Sequence, residues 1–163
     1  INEYMAQEKE YRGTFTLGAI TPTYDLESEP GNLKPFEHLT EAEIKAATTN
    51  FTGEIMQVPP AHSAIKVDGK RLYELARQGK EVKLEPRKIT IKEFEIIKTE
   101  LPLVYFRVLC STGTYIRSLA YDFGAALGCG AYLSSLSRTR IGAFLLQDAM
   151  TLEGFEKKIK EPL

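Results

Sequence analysis

The chain has 163 residues, of which 43% are hydrophobic and 26% charged, and its formal net charge is −1. This length predicts about one domain with a substantial core, and the near-neutral charge does not by itself indicate a nucleic-acid partner. No apolar run approaches the ~20 residues that a membrane-spanning helix needs. The polar, acidic start INEYMAQEKE is typical of neither a signal peptide nor a transit peptide.

The cysteines and histidines give no metal-ligand spacing, since Cys110, Cys129, His38 and His62 are scattered along the chain. We expect both cysteines to be reduced and packed, and we expect no metal site. Sparse cysteine and the lack of a secretory signal favour a cytoplasmic protein.

The charge is unevenly distributed along the chain. Residues 1–58 contain four Lys/Arg and ten Asp/Glu, residues 60–92 contain nine and four, and residues 93–163 contain eight and eight. A basic block inside a neutral chain is typical of a local phosphate-facing surface, although a solvated charged face gives the same pattern.

The first half of the chain predicts a strand, a loop and a short helix. YRGTFTL alternates with a period of two, which predicts a strand over 11–17, and the turn-rich TPTYDLESEPGN that follows predicts a surface loop. Thr40 and Glu43 have the spacing of a capping box, which predicts a helix to about Asn50. TGEIMQVPP predicts a brief extended segment that ends at its two prolines.

The second half predicts two further long strands and a helix. KITIKEFEII shifts its apolar phase at Lys92–Glu93, which indicates a bulge, and LVYFRVLC predicts the next strand. The helix after STGTY has an apolar stripe and should end at Gly128. Upstream of these, Asp68-Gly69 indicates a turn, which we expect a helix over 70–77 to follow.

These elements predict an α+β fold, because strands dominate without regular β-α-β alternation. We expect a mixed, mainly antiparallel sheet with flanking helices and an inserted basic hairpin.

The stretch STGTYIRSLA contains a cation at an unfavourable place. Arg117 lies at the start of the predicted helix, where the backbone dipole favours Asp or Glu. Such an arginine can hold a carboxylate in its ionised form, and Tyr115 offers a ring for stacking on a base and a phenol for proton transfer. The alternative is a packed Tyr115 and a solvated Arg117. Tyr11, at the entry of the first strand, is by its pattern most simply a core aromatic.

Three blocks of the sequence closely resemble successive blocks of the bacterial tRNA pseudouridine synthases of the TruB type. They are KEYRGTFTLGAITPTYD, QVPPAHSAIKVDGKRLYELARQGKEV and STGTYIRSLAYDFGAALGCGAYLSSLSRTRIG. These enzymes isomerise uridine 55 in the T-loop of tRNA. The resemblance implies the pseudouridine synthase fold, a cytoplasmic tRNA-modifying enzyme, base flipping and no cofactor.

The resemblance also implies roles for individual residues. Tyr11 becomes the platform for the flipped base, Tyr115 a candidate for the later proton abstraction, and Arg117 the partner of the catalytic aspartate. Leu136 lines the base pocket, with Arg138 nearby.

The basic block resembles the thumb-like insertion of this family, which closes on the RNA stem-loop, and we place it at residues 58–92. The residues implied there as phosphate contacts, or as close to them, are Lys66, Lys70, Arg71, Arg77 and His62.

One departure from the family concerns its nucleophile, an aspartate in a G-x-L-D-P-x-A-T-G-like segment upstream of the K-x-Y block. That segment is absent here, and Asp25, Asp68, Asp122 and Asp148 lack its flanks. We expect the chain to be the downstream part of such an enzyme, inactive alone, with the missing N-terminal segment and the tRNA T-arm as its partners. We expect no RNA-binding PUA domain within it.

Two alternatives remain open at this point. One is a non-catalytic RNA-binding module derived from such an enzyme. The other is a guide-RNA-dependent relative, which shares the GTYIR pattern.

Overall fold

One antiparallel sheet organises the part of the chain that the structure, a computed structural model, describes, namely residues 8–60, 66–67, 70–71, 85–141 and 144–145. Its six strands lie in the order β2-β5-β6-β1-β7-β8, and every pairing among them is antiparallel. Their bounds are β1 Lys9–Leu17, β2 Gly53–Gln57, β5 Arg87–Glu100, β6 Leu103–Cys110, β7 Ala131–Ile141 and β8 Phe144–Leu145. The mainly antiparallel α+β fold is therefore confirmed.

The strand β1 lies inside the sheet and confirms the strand predicted over 11–17. It pairs with β6 on one side and with β7 on the other. Its alternate residues Tyr11, Phe15 and Leu17 are buried. The Phe15 ring stacks on Phe106 with centroids 4.2 Å apart, so the period of two in the sequence builds the centre of the core.

Two α-helices pack on this apolar face. The helix α1 (Glu41–Ala47) begins with the predicted capping box, in which the Glu43 amide donates to Thr40 Oγ1 at 3.1 Å and the Thr40 amide donates to Glu43 Oε1 at 3.3 Å. A 3₁₀ turn (Thr48–Phe51) continues it. The helix α2 (Ile116–Leu127) ends, as predicted, at Gly128, which adopts the left-handed conformation with φ 82°.

The predicted bulge in β5 is confirmed, because the register with β6 shifts between Ile91 and Glu93. Ile91 and Phe94 both remain buried, while Glu93 turns to the opposite, polar face of the sheet. There Arg107 forms ion pairs with Glu93, with Glu95 at 3.0 Å and with Glu10 at 2.7 Å. These hydrogen bonds, that to Glu93 most strongly, raise the pKa of Arg107. The bulge thus keeps one face apolar and completes a charge cluster on the other.

The helix predicted over 70–77 is wrong at its beginning. The structure has β3 (Lys66–Val67) paired with β4 (Lys70–Arg71), so Lys70 and Arg71 belong to a small antiparallel hairpin. The turn indicated at Asp68-Gly69 and the remainder of the predicted helix lie outside the described residues.

Both cysteines are unpaired and buried, as predicted. Burial is the main cause that raises the pKa of Cys110, to about 11. Within the described ranges, neither helix has the length and apolar character needed to span a membrane.

The contact between α2 and β7 gives the first testable prediction, at Gly124. In most helices Gly→Ala is stabilising by about 1 kcal/mol. Here a Cβ at position 124 would overlap backbone atoms of Gly130 and Ala131. We therefore expect Gly124→Ala to lower the free energy of unfolding by about 1–3 kcal/mol, measured by urea denaturation.

Gly31→Ala is the matched control, because a Cβ at Gly31 meets no atom within 4 Å. Its free energy of unfolding should change by less than about 1 kcal/mol. A Gly124→Ala variant more stable than the wild type would show that α2 does not lie this close to β7.

Candidate active site

Three predicted site residues come together where β1 meets β7. The register sets Tyr11 opposite Arg138 and Gly13 opposite Leu136. The strands approach closely at this point, because a Cβ on Gly13 would overlap the Ser135 carbonyl. The glycine therefore lets β7 bring Leu136 and Arg138 beside the Tyr11 ring.

Arg138 contacts Tyr11 in two ways. Its Nη2 donates a hydrogen bond to the Tyr11 hydroxyl at 3.2 Å, and its guanidinium carbon lies 5.4 Å from the centre of the ring. Burial raises the pKa of Tyr11 and the nearby Arg138 charge opposes this. Since burial dominates, the phenol stays neutral at physiological pH and serves as a ring and a hydrogen-bonding group rather than as an anion.

Tyr115 and Arg117 lie at the start of α2. Tyr115 is the N-cap residue, with φ −99° and ψ 110°, and Arg117 is the second residue of the helix. The strand β6 leads directly into this helix, and its last residue, Cys110, pairs with Lys9 at the entry of β1. The end of β6 that leads to α2 therefore lies beside the end of β1 that carries Tyr11.

Arg117 has a carboxylate partner within the chain. Its Nη1 lies 3.6 Å from Asp25 Oδ2, and the Asp25 side chain is 0% exposed. Asp25 Oδ1 accepts hydrogen bonds from Thr23 Oγ1 at 2.6 Å and from the Glu27 amide at 2.9 Å, whereas Oδ2 is buried without one. The loop thus fixes one carboxylate oxygen and directs the other towards the arginine, which offsets the unfavourable dipole at the helix start.

The loop that carries Asp25 is held by Tyr24. Tyr24 adopts a left-handed backbone conformation with φ 65°, which is uncommon for a residue of this size. Its ring stacks on Tyr121 of α2 at 4.3 Å, and its carbonyl accepts the Leu133 amide of β7 at 2.8 Å. The stack and the hydrogen bond together offset the backbone strain and keep Asp25 at the helix start.

The sequence does not predict that Asp25 pairs with Arg117. Asp25 is nevertheless the last residue of TPTYD, which lies in one of the blocks similar to the TruB-type enzymes. The expectation that Arg117 pairs with an aspartate upstream of residue 1 stays a prediction, and the structure adds a second carboxylate within the chain.

The predicted phosphate contacts fall largely beyond what the structure describes. His62 and Arg77 lie outside the described residues. Lys66 lies in β3, and Lys70 and Arg71 lie in β4. The last six residues of the predicted 58–92 insertion belong to β5 of the main sheet.

A cavity of about 480 Å³ lies at the other end of α2, where Ile20, Lys34, Tyr121 and Gly128 are among its lining residues. It includes none of the predicted site residues. In the described part of the chain, no group of three or more His, Cys, Asp or Glu residues has the geometry of a metal site.

Comparison with known proteins places the chain in a family. A profile described as "TruB family pseudouridylate synthase (N terminal domain)" matches residues 1–116, and one described as "tRNA pseudouridylate synthase B C-terminal domain" matches residues 117–161. The chain therefore belongs to the TruB family of pseudouridylate synthases.

Curated proteins similar to this chain include two relatives that are named tRNA pseudouridine synthase B. It is 51% identical to that of Flavobacterium johnsoniae, over 98% of this chain and 70% of the relative. It is 46% identical to that of Parabacteroides distasonis, over 99% of this chain and 68% of the relative.

Two solved structures have a similar fold. A chain in a Cbf5-Nop10-Gar1 complex superposes with a TM-score of 0.60 at 31% identity, over 88% of this chain and 33% of that chain. A chain of an H/ACA RNP bound to a substrate RNA containing 2'-deoxyuridine gives a TM-score of 0.58 at 26% identity, over 96% and 38%. The chain thus spans less than half of either solved chain.

The Arg117–Asp25 pair gives a prediction that a double-mutant cycle can test. We expect Asp25→Asn and Arg117→Gln to show a coupling free energy of about 1–3 kcal/mol in urea denaturation, because the carboxylate is fully buried.

The control is the Lys45–Glu41 pair of α1, whose side chains are 52% and 53% exposed. Water screens this pair, so its coupling should stay below about 0.5 kcal/mol. Equal coupling free energies in the two pairs would mean that burial of the Asp25 carboxylate does not strengthen its interaction with Arg117.

Proposed function

We propose that this chain is part of an enzyme that isomerises uridine 55 in the tRNA T-loop to pseudouridine. Relatives named tRNA pseudouridine synthase B match it at 46–51% identity along nearly its whole length. The observation that carries the proposal is that the sequence blocks similar to this family form neighbouring elements of the fold. Tyr11, Leu136 and Arg138 meet across β1 and β7, and the start of α2 lies at the same end of β1.

The reaction assigns a task to each of these groups. The bond between N1 of uracil and the sugar breaks, the freed base turns over, and a new bond forms from C5; the C5 hydrogen leaves as a proton and N1 gains one. The base must first leave the RNA stack, and an aromatic platform with an apolar wall holds it. In our proposal Tyr11 is the platform, Leu136 is the wall, and Tyr115 accepts the proton from C5.

Arg117 supplies a permanent positive charge to the site. A nucleophilic aspartate must be ionised to attack, and a neighbouring guanidinium keeps its pKa low. Asp25 limits where the Arg117 side chain can lie, because its buried Oδ2 is 3.6 Å from Nη1. We propose that the nucleophile belongs to a segment upstream of residue 1 and that Asp25 helps to orient the arginine towards it.

The basic block supplies the RNA contact in this proposal. The register of the β3–β4 hairpin sets Lys66 opposite Arg71. Residues 60–92 contain nine Lys/Arg and four Asp/Glu, and this excess of positive charge favours a phosphate-facing surface. His62 and Arg77 complete the proposed contacts within the 58–92 insertion.

A guide-RNA-dependent enzyme is a second candidate, because the solved chains of similar fold belong to a Cbf5-Nop10-Gar1 complex and to an H/ACA RNP bound to a substrate RNA. Their identity to this chain is 31% and 26%, against 51% for the relative from Flavobacterium johnsoniae. The direct tRNA enzyme is therefore the better proposal. It differs from the guided enzyme in needing no second RNA.

The activity can be tested by supplying the proposed upstream segment. We expect this chain alone to release no tritium from a T-arm RNA labelled at C5 of its uridines. A fusion to an N-terminal segment with the G-x-L-D-P-x-A-T-G-like motif should release it without any guide RNA.

The control fusion carries Asn in place of the nucleophilic aspartate and should be inactive. A fusion that binds the T-arm tightly but never forms pseudouridine would contradict the enzyme and favour a non-catalytic RNA-binding module. Activity only with a guide RNA would favour the second candidate.

The role of Arg117 gives a further prediction in the active fusion. We expect Arg117→Ala to lower kcat by at least about 100-fold, because a fixed charge next to the reacting groups is lost. The Kd for the T-arm RNA should change less than about threefold, since the phosphate contacts lie elsewhere.

Arg12→Ala is the control, because it removes an arginine of β1 that is exposed on the polar face of the sheet. It should leave kcat unchanged. An Arg117→Ala variant with normal turnover would remove the role assigned to this residue.

A further inference from the structure

The buried amide of Gln57 is bonded to the main chain of Tyr115. Gln57 is 1% exposed at the end of β2. Its Nε2 donates to the Tyr115 carbonyl at 3.1 Å, and its Oε1 accepts from the Tyr115 amide at 2.9 Å. A third hydrogen bond joins the same segments, from Ser118 Oγ to the Val58 carbonyl at 2.7 Å.

Within α2 the Tyr115 carbonyl accepts the Leu119 amide at 3.1 Å, and Gln57 supplies what the helix cannot, an acceptor for the Tyr115 N–H. Tyr115 precedes the helix, so its N–H has no acceptor within α2, and the helix has no side-chain cap. The primary amide presents one of its two N–H donors and its oxygen acceptor side by side in one plane, as a neighbouring strand would. It therefore restrains the main chain of Tyr115, from which the ring projects.

Gln57 also lies where the proposed RNA-binding insertion leaves the sheet. In the register of β2 with β5, Gln57 pairs with Arg87, so Gln57 directly precedes the 58–92 insertion and Arg87 begins β5, the strand in which the insertion rejoins the main sheet. Val58, which accepts the Ser118 bond, is the first residue of the 58–92 range. The start of α2 is therefore bonded directly to the base of the insertion.

We propose that Gln57 is the positioning residue for Tyr115, and that it ties the base of the RNA-binding insertion to the start of the helix that carries the active-site arginine. The catalytic part of this inference rests on the proposed function. The bond between the amide and the Tyr115 main chain does not, and each part has its own measurement.

The first measurement is hydrogen exchange at the Tyr115 amide, followed by NMR in the protein as its natural reading frame encodes it. Gln57→Met keeps the length of the side chain and removes both hydrogen bonds. We expect exchange at Tyr115 to accelerate by about fivefold, which corresponds to the roughly 1 kcal/mol that one hydrogen bond contributes. Amides in the centre of β6 should exchange as in the wild type.

The second measurement is the pH profile of turnover in Gln57→Glu. A protonated carboxyl reproduces both hydrogen bonds, whereas the carboxylate turns an acceptor towards the Tyr115 carbonyl. Burial raises the pKa of such a carboxyl. The variant should therefore work at wild-type rate below that pKa and lose about tenfold in kcat as pH rises through it. KM for the T-arm RNA should stay within twofold.

Asn50→Asp is the matched control, because it makes the same amide-to-acid change at an exposed position nearby. Its pH profile should follow that of the wild type. A purely structural role for Gln57 would lower the yield of folded protein without adding an ionisation to the profile.

The outcomes separate the two proposals. Unchanged exchange at Tyr115 in Gln57→Met would overturn the positioning bond, and if that variant does not fold, exchange in Gln57→Glu on either side of its pKa decides the same point. Faster exchange with unchanged kcat would overturn the catalytic role of Gln57. A wild-type protein without pseudouridine formation would overturn the proposed function, while the exchange data would still decide the bond.

Discussion

The pairing of β1 on both of its edges is the constraint on which the rest of the structure depends. On one side it brings β7 against Tyr11, and on the other it aligns β6, whose end leads into α2. The same strand places Phe15 at the centre of the aromatic core. The same backbone hydrogen bonds of β1 therefore position both the core and the candidate site. A shift of register in β1 would disrupt both.

Charge is used differently on the two faces of this sheet. On the polar face, Arg107 of β6 forms ion pairs with carboxylates of β1 and β5, and this cluster links the three strands. Near the apolar face, the buried Asp25 is directed at Arg117 from a loop that Tyr24 holds in a strained conformation. The Arg107 cluster lies away from the proposed reaction and stabilises the fold. The Arg117 pair lies at the site, where strain and buried charge are expected to serve function.

Local pattern predicted the elements well and the contacts between them poorly. Alternation and phase gave β1 and the bulge in β5, and the Thr40–Glu43 spacing gave the start of α1, because each depends on residues close in sequence. The beginning of the helix predicted over 70–77 was wrong because strand pairing with β3 outweighed a local helical pattern. The resemblance to a family supplied the proposed roles of Tyr11 and Arg117. The contacts of Asp25 and Gln57 depend on residues distant in sequence, so only the three-dimensional structure shows them.

The absence of a side chain at Gly13 determines more than a local fit. Any other residue there would force β7 away by the thickness of a methyl group, and Leu136 and Arg138 would move with it. The distance between the backbones of β1 and β7 therefore sets the width of the candidate base pocket, and the side chains that line the pocket do not. A redesign of this pocket for a larger or smaller base would have to begin with the distance between β1 and β7.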